Sequence, residues 1–158
     1  MVGTTIMAKD TFKEGDQAPN FAFEAENGQI IKPGETGKKW VILYFYPKDD
    51  TPGCTAQAKT FTSLLDEFEK ANAVVYGINT DNKESHLKFK KKYDLKHTLL
   101  TDPDGKAARS FGITVLLGLC SRDSVLINPE GKIEKIYRGV KPDANPKEIL
   151  KYIQEKNK

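Results

Sequence analysis

The sequence predicts an α/β fold in which helices cover both faces of a central mixed sheet, and three observations predict it. Residues 40–46, Trp-Val-Ile-Leu-Tyr-Phe-Tyr, form an unbroken apolar run rich in β-formers, the pattern of a strand covered on both faces. Strand-length apolar runs then alternate with amphipathic helical segments as far as about residue 100, the rhythm of parallel βαβ units. Two further short runs flank the turn Asn128-Pro129-Glu130-Gly131, and a helical segment follows them.

Taken in order, Phe21 and Phe23 alternate with smaller or polar residues, and Asn27-Gly28 accepts the positive φ of a tight turn before Ile30 and Ile31, so a hairpin is expected first. Beyond the central strand and the loop 47–53, Phe61, Leu64, Leu65 and Phe68 recur at i, i+3, i+4 and i+7 and predict a helix over 55–70. Residues 73–78 read as a second buried strand, 83–93 as a basic amphipathic helix and 98–100 as a short strand. A short helix over 106–111 precedes strands at 124–127 and 133–137, which the intervening turn makes an antiparallel hairpin. Pro146 in a first turn, with Ile149, Leu150 and Ile153 behind it, marks a closing helix. The whole describes a thioredoxin-like α/β sandwich with an N-terminal hairpin extension. It is expected as a single domain over 12–154, with a flexible segment at 1–11.

Length and composition agree with one domain. The chain has 158 residues and 38% hydrophobic content, which argues against intrinsic disorder. Its 25 basic and 22 acidic residues leave a net charge of +3, too weak a field to argue for nucleic acid or an anionic membrane. No apolar run approaches the roughly 20 residues of a membrane-spanning helix. No basic region followed by a greasy segment opens the chain, so a cytoplasmic protein is expected. Two cysteines are too few for a disulfide-stapled module and fit a reducing compartment.

Cys54 falls between the carboxyl end of the predicted central strand and the first turn of a helix, the crevice where open α/β sheets usually bind ligands. Helical amides and the partial positive charge there stabilise a thiolate, the nucleophilic form of cysteine. A lone cysteine is more commonly a small packed residue, but the surroundings of Cys54 argue otherwise. The stretch from Tyr44 to Thr55, Tyr-Phe-Tyr-Pro-Lys-Asp-Asp-Thr-Pro-Gly-Cys-Thr, resembles the peroxiredoxins. Their Pro-x-x-x-Thr-x-x-Cys signature is matched by Pro47, Thr51 and Cys54, and the fuller stretch is similar to the bacterioferritin comigratory protein branch, also called peroxiredoxin Q. The similarity extends from residues 15–21 through 102–105 to 125–132, most of the chain.

That resemblance implies a thiol peroxidase acting on hydrogen peroxide and small alkyl hydroperoxides. Cys54 thiolate would attack one peroxide oxygen, expel hydroxide or alkoxide and become a sulfenic acid. Thr51 would hydrogen-bond the sulfur or the peroxide through its hydroxyl, and the N–H groups of Gly53 and Cys54 would add donors. Pro47, with fixed φ and no amide hydrogen, would shape the loop and shield the pocket. The family's arginine on a later strand corresponds to Arg122, whose planar donors suit a peroxide and favour an anionic sulfur. Read without the resemblance, Thr51 is a helix-capping hydroxyl, Pro47 a strand stop and Arg122 a solvated surface side chain. No metal, flavin or haem cofactor is implied.

Relatives that carry a second, resolving cysteine place it where this chain has Lys59, or near residue 90, where it reads Lys-Phe-Lys-Lys-Lys-Tyr over 88–93. Cys120 remains, two residues before Arg122, and both side chains would face one pocket if a strand already began there. The favoured mechanism therefore uses Cys54 alone, recycled by an external thiol such as thioredoxin, glutaredoxin or glutathione. The alternative has Cys120 condense with it. A thiol-disulfide oxidoreductase is disfavoured because Thr51 stands where Cys-x-x-Cys needs its first cysteine. A redox-inert binding module would not need the Thr51, Cys54 and Arg122 set.

Other features carry less. Residues 34–39, Gly-Glu-Thr-Gly-Lys-Lys, have the wrong spacing for a phosphate loop, and Asp102-Pro103-Asp104-Gly105 reads as a turn. His86 and His97 have no companion cysteines, which gives a metal site little support. Lys88, Lys90, Lys91 and Lys92 describe a solvated helix face. Leu116, Leu117 and Leu119 suit an alkyl-hydroperoxide contact, a dimer contact or the core, and a monomer or weak homodimer is expected.

Overall fold

A computed structural model describes residues 12–35 and 37–158, so the flexible segment expected at 1–11 lies outside the described residues. The chain builds a seven-stranded mixed sheet in the order β2 (Ile30–Ile31), β1 (Phe23–Ala25), β5 (Thr98–Thr101), β4 (Ala73–Asn79), β3 (Trp40–Phe45), β8 (Asp123–Ile127) and β9 (Ile133–Tyr137), and a separate two-stranded hairpin. Three central strands, β3 (Trp40–Phe45), β4 (Ala73–Asn79) and β5 (Thr98–Thr101), run parallel. Helices α1 (Pro52–Ser63), α2 (Leu65–Lys70) and α3 (Lys83–Tyr93) supply their crossovers. The pair β8 (Asp123–Ile127) and β9 (Ile133–Tyr137) is antiparallel, as the turn between them predicts, and β8 also lies antiparallel against β3. Helix α5 (Asn145–Lys156) closes the chain.

Side-chain alternation along β3 divides the core. Ile42 and Tyr44, with Tyr46 beyond the strand, point into a layer with Phe61, Phe68, Phe89 and Ile149, so α1, α2, α3 and α5 cover that face. Val41, Leu43 and Phe45 point into the opposite layer with Phe23, Ile78, Phe111 and Ile127 beneath α4 (Lys106–Ser110). Both layers are apolar, which is why the strand shows no polar alternation.

Three features depart from the expected outline. The hairpin of β1 (Phe23–Ala25) and β2 (Ile30–Ile31) turns at Gly28, φ 87°, as predicted, but β1 also pairs with β5, so these strands belong to the main sheet. The helix expected over 55–70 starts earlier, at Pro52, and breaks at Leu64. Thr60 and Ser63 hydroxyls donate to the carbonyls of Ala56 and Thr60 beside the break, the back-bonding that bends helices. Phe61 and Phe68 still pack in one layer across it, so the periodicity conceals the break. Third, β6 (Val115–Leu116) and β7 (Leu119–Cys120) form a hairpin that turns at Leu117 and Gly118 with φ of 52° and 77°. Leucine is a poor residue for positive φ, so the pattern gave no warning. Leu116, Leu117 and Leu119 are 69%, 94% and 44% exposed, which removes them from the core.

Candidate active site

The end of β3 and the start of α1 define the site. Pro47 stops the strand, Tyr46 to Thr51 form a loop, and Thr51 takes the N-cap position with extended backbone, φ −108° and ψ 155°. Pro52 opens the helix, where its missing N–H costs nothing. The bond from Thr55 N–H to the Thr51 carbonyl begins the helical ladder, and the N–H groups of Gly53 and Cys54 have no partner among the described residues. Two free donors and the positive end of the helix thus converge around Cys54.

Cys54 itself is only 1% exposed and packs with Tyr44, Tyr46, Ala58 and Phe61. The sulfur is recessed because Cys54, the third residue of α1, faces inward to the core layer that holds Tyr44 and Tyr46.

Arg122 reaches the same turn of α1. It sits in the bend between β7 and β8, one residue before the strand on which it was expected, and Val140 N–H fixes its carbonyl. Its Nη1 donates to Gln57 Oε1 at 2.9 Å. A Cβ placed on Gly53 would stand 2.9 Å from its Nη2, so the guanidinium rests directly on the glycine backbone. Gly53 adjoins Cys54 and Gln57 follows one turn later on the same helix face, so the cation spans the turn that carries the thiol. Burial raises the Tyr44 phenol well above its ordinary value; the charges of Asp49 and Cys54 add to this and that of Arg122 opposes it.

Thr51 is placed differently from expectation. Its hydroxyl donates to the Lys48 carbonyl at 2.9 Å, so its proton is committed to the loop and not to sulfur or peroxide. Nor does its side chain cap the helix. The oxygen's lone pairs remain as acceptors.

Cys120 departs further. It lies in the core layer on the other side of the sheet, with Val125 and Phe111, and is 2% exposed. Burial, then the charge of Asp102, pushes its thiol up to about 12. The expectation that Cys120 and Arg122 face one pocket is overturned because β7 ends at Cys120 and Ser121 breaks the alternation before β8.

Several site residues escaped the sequence reading. Gln57 is fully buried, and its Nε2 has no hydrogen-bond partner among the described residues. A polar residue one turn from the cysteine on an apolar face was the available signal. The second omission is a buried network around Asp49, which accepts from Tyr46 hydroxyl at 2.6 Å, Asn79 Nδ2 at 3.3 Å, Ser85 hydroxyl at 2.8 Å and His86 Nδ1 at 2.6 Å. Burial alone would raise the Asp49 carboxyl, but the bonds and charge of His86, with Tyr46 and Ser85, hold it below the ordinary value. His97, the other histidine, bridges Tyr44 hydroxyl and Thr62 hydroxyl. Both histidines are therefore hydrogen-bonded polar groups of the interior.

Residues 14–136 match the model of the AhpC/TSA family. The chain belongs to this family. A Helicobacter pylori protein named as a bcp peroxiredoxin is 42% identical over 146 residues, covering 88% of this chain and 96% of that one. Peroxiredoxin Bcp of Bacillus subtilis is 34% identical over 153 residues, covering 92% and 97%. Among solved structures, a cysteine-to-serine mutant of Xylella fastidiosa PrxQ superposes with a TM-score of 0.87 at 28% identity, over 93% of this chain and 98% of that one. This peroxiredoxin is thus a thiol-specific peroxidase with the thioredoxin-like fold of the Bcp and PrxQ proteins.

Proposed function

We propose that Cys54 is the nucleophile of the peroxidase reaction, with Arg122, Thr51 and Pro47 forming its pocket. The observation that carries this is the shared turn: Cys54, two unpartnered N–H groups and the Arg122 guanidinium meet at the start of α1. Sulfur attacks one peroxide oxygen in line, the S–O bond forms as the O–O bond breaks, and the departing oxygen leaves as hydroxide or alkoxide. The guanidinium and the helical amides stabilise the charge that develops on oxygen. Thr51 Oγ1, its hydrogen engaged by Lys48, accepts the O–H of the hydroperoxide. Pro47, half-buried in the loop before α1, shapes that loop and shields the pocket from water.

The sulfenic acid then condenses with an external thiol, releasing water; a second thiol cleaves the mixed disulfide and restores Cys54. Thioredoxin, glutaredoxin or glutathione would serve. Supporting a single redox cysteine, Cys120 would have to cross the sheet to reach Cys54. Two unpaired buried thiols accord with a cytoplasmic enzyme. Exposed Leu116, Leu117 and Leu119 offer the contact if the monomer forms a weak homodimer.

Peroxide consumption with a thiol reductant tests the reading. Wild type should turn over and Cys54→Ser should not; equal turnover would overturn the assignment.

A further inference from the structure

The loop that shapes the pocket is held from behind. Between Pro47 and Thr51, Asp49 turns its carboxylate inward, where it is 7% exposed, and receives donors from four other residues: Tyr46, Asn79, Ser85 and His86. Its own N–H donates to Asp81 Oδ2 at 2.8 Å. Through this one residue the loop is tied to the ends of β3 and β4 and to α3. His86, like Tyr46 and Asn79, is fully buried. Its Nε2 lies 3.1 Å from the Leu100 carbonyl on β5, an oxygen that can only accept, while Nδ1 faces Asp49. The two ring nitrogens thus face β5 on one side and the loop on the other, and the ring lies between them.

A buried polar pair such as Asp49 and His86 is a poor way to add stability, since an apolar pair of similar volume often serves as well; what it adds is geometry. The outer side of the same loop needs such fixing. Asp50 adopts φ 58°, a conformation that non-glycine residues rarely hold, and keeps it by accepting from Lys92 Nζ and Tyr93 hydroxyl. A loop strained at one residue and carrying Thr51 at the next needs a rigid inner anchor if Thr51 and Pro47 are to stay in register with Cys54.

We propose that His86 is a positioning residue for the peroxidase reaction, acting through Asp49 to hold the loop 47–51 in the geometry that binds the hydroperoxide. This rests on the Cys54 reading given above. A displacement on the order of 1 Å in such a loop is enough to cost about a hundredfold in rate.

The test compares His86→Leu with His86→Asn, whose Nδ2 can replace Nδ1 as donor to Asp49. The second-order rate of Cys54 oxidation by hydrogen peroxide is read by stopped flow, the melting temperature by calorimetry, and the rate of iodoacetamide alkylation as a control for thiol reactivity. The expected result is at least about a tenfold loss of peroxide rate in His86→Leu, recovery to within about threefold in His86→Asn, and smaller changes in alkylation. An unchanged peroxide rate in His86→Leu, or losses in the two variants that merely follow their melting temperatures, overturns the proposal. Should His86→Leu not fold, Ser85→Ala, which removes one donor from Asp49 at a half-buried position, decides: a loss of about threefold at unchanged melting temperature supports it and no loss overturns it. A wild type matched by Cys54→Ser would instead defeat the underlying assignment, so the two failures are distinguishable.

Discussion

Replacing Cys120 by alanine should leave peroxide turnover intact, although the residue is one of only two cysteines in the chain. With its thiol pushed up to about 12, Cys120 is roughly one part in 10⁵ thiolate at pH 7, about a thousand times less than an unshifted thiol. It also lies across the sheet from Cys54, so neither charge state nor position equips it to capture a sulfenic acid. The substitution removes one buried heavy atom and should cost about 1 kcal/mol, a fall in melting temperature of roughly 2–4 °C for a chain this size. Steady-state peroxide consumption with a thiol reductant should stay within about twofold of wild type. Intact-mass measurement after one equivalent of peroxide should show wild-type protein gaining oxygen. A loss of two hydrogens, with fragments joining Cys54 to Cys120, would refute the single-cysteine reasoning, as would a turnover that collapses in Cys120→Ala while the fold survives.

Arg122→Ala should lower the second-order rate with peroxide about a hundredfold or more, the usual effect of deleting a donor to developing charge, with little change in melting temperature; near-normal stopped-flow kinetics would exclude its role. Gly53→Ala sets a Cβ against Arg122 Nη2 at 2.9 Å, and because the guanidinium ends a flexible side chain the fold should accommodate it while the peroxide rate falls about tenfold. An unaltered rate would mean that the guanidinium does not need that seat. Burial, with the charge of Lys90, lowers His97 to about 3. The unfolded chain takes up this proton below about 6.5 and the folded protein does not, so stability from His97 is complete above that pH and declines as pH falls toward 3, by up to about 1.4 kcal/mol per pH unit. Melting curves of His97→Gln should therefore flatten between about pH 6 and 4 relative to wild type, and parallel profiles would reject the assignment.

The boundaries of most elements were legible because each is a local pattern. The apolar run at 40–46, the helical spacing of Phe61 to Phe68 and the Asn27-Gly28 turn say what a segment does regardless of its neighbours. The hairpin at Leu117-Gly118 was not legible because a leucine is held at positive φ there, against its preference, within the packed fold.

The same division applies to the site. Local sequence determined that a cysteine would begin a helix after a central strand, with Thr51 and Pro47 at fixed offsets, since the strand-loop-helix path is contiguous. Tertiary structure decided the rest. Strand order sent Cys54 and Cys120 into opposite core layers, and long-range packing laid Arg122 on Gly53 and Gln57 and drew His86 to Asp49. A hydroxyl such as that of Thr51 goes to whichever acceptor the folded loop brings nearest, here the Lys48 carbonyl. Periodicity records which way a side chain leaves its own element, but what it meets depends on segments far away in the chain, and only their assembly supplies that information.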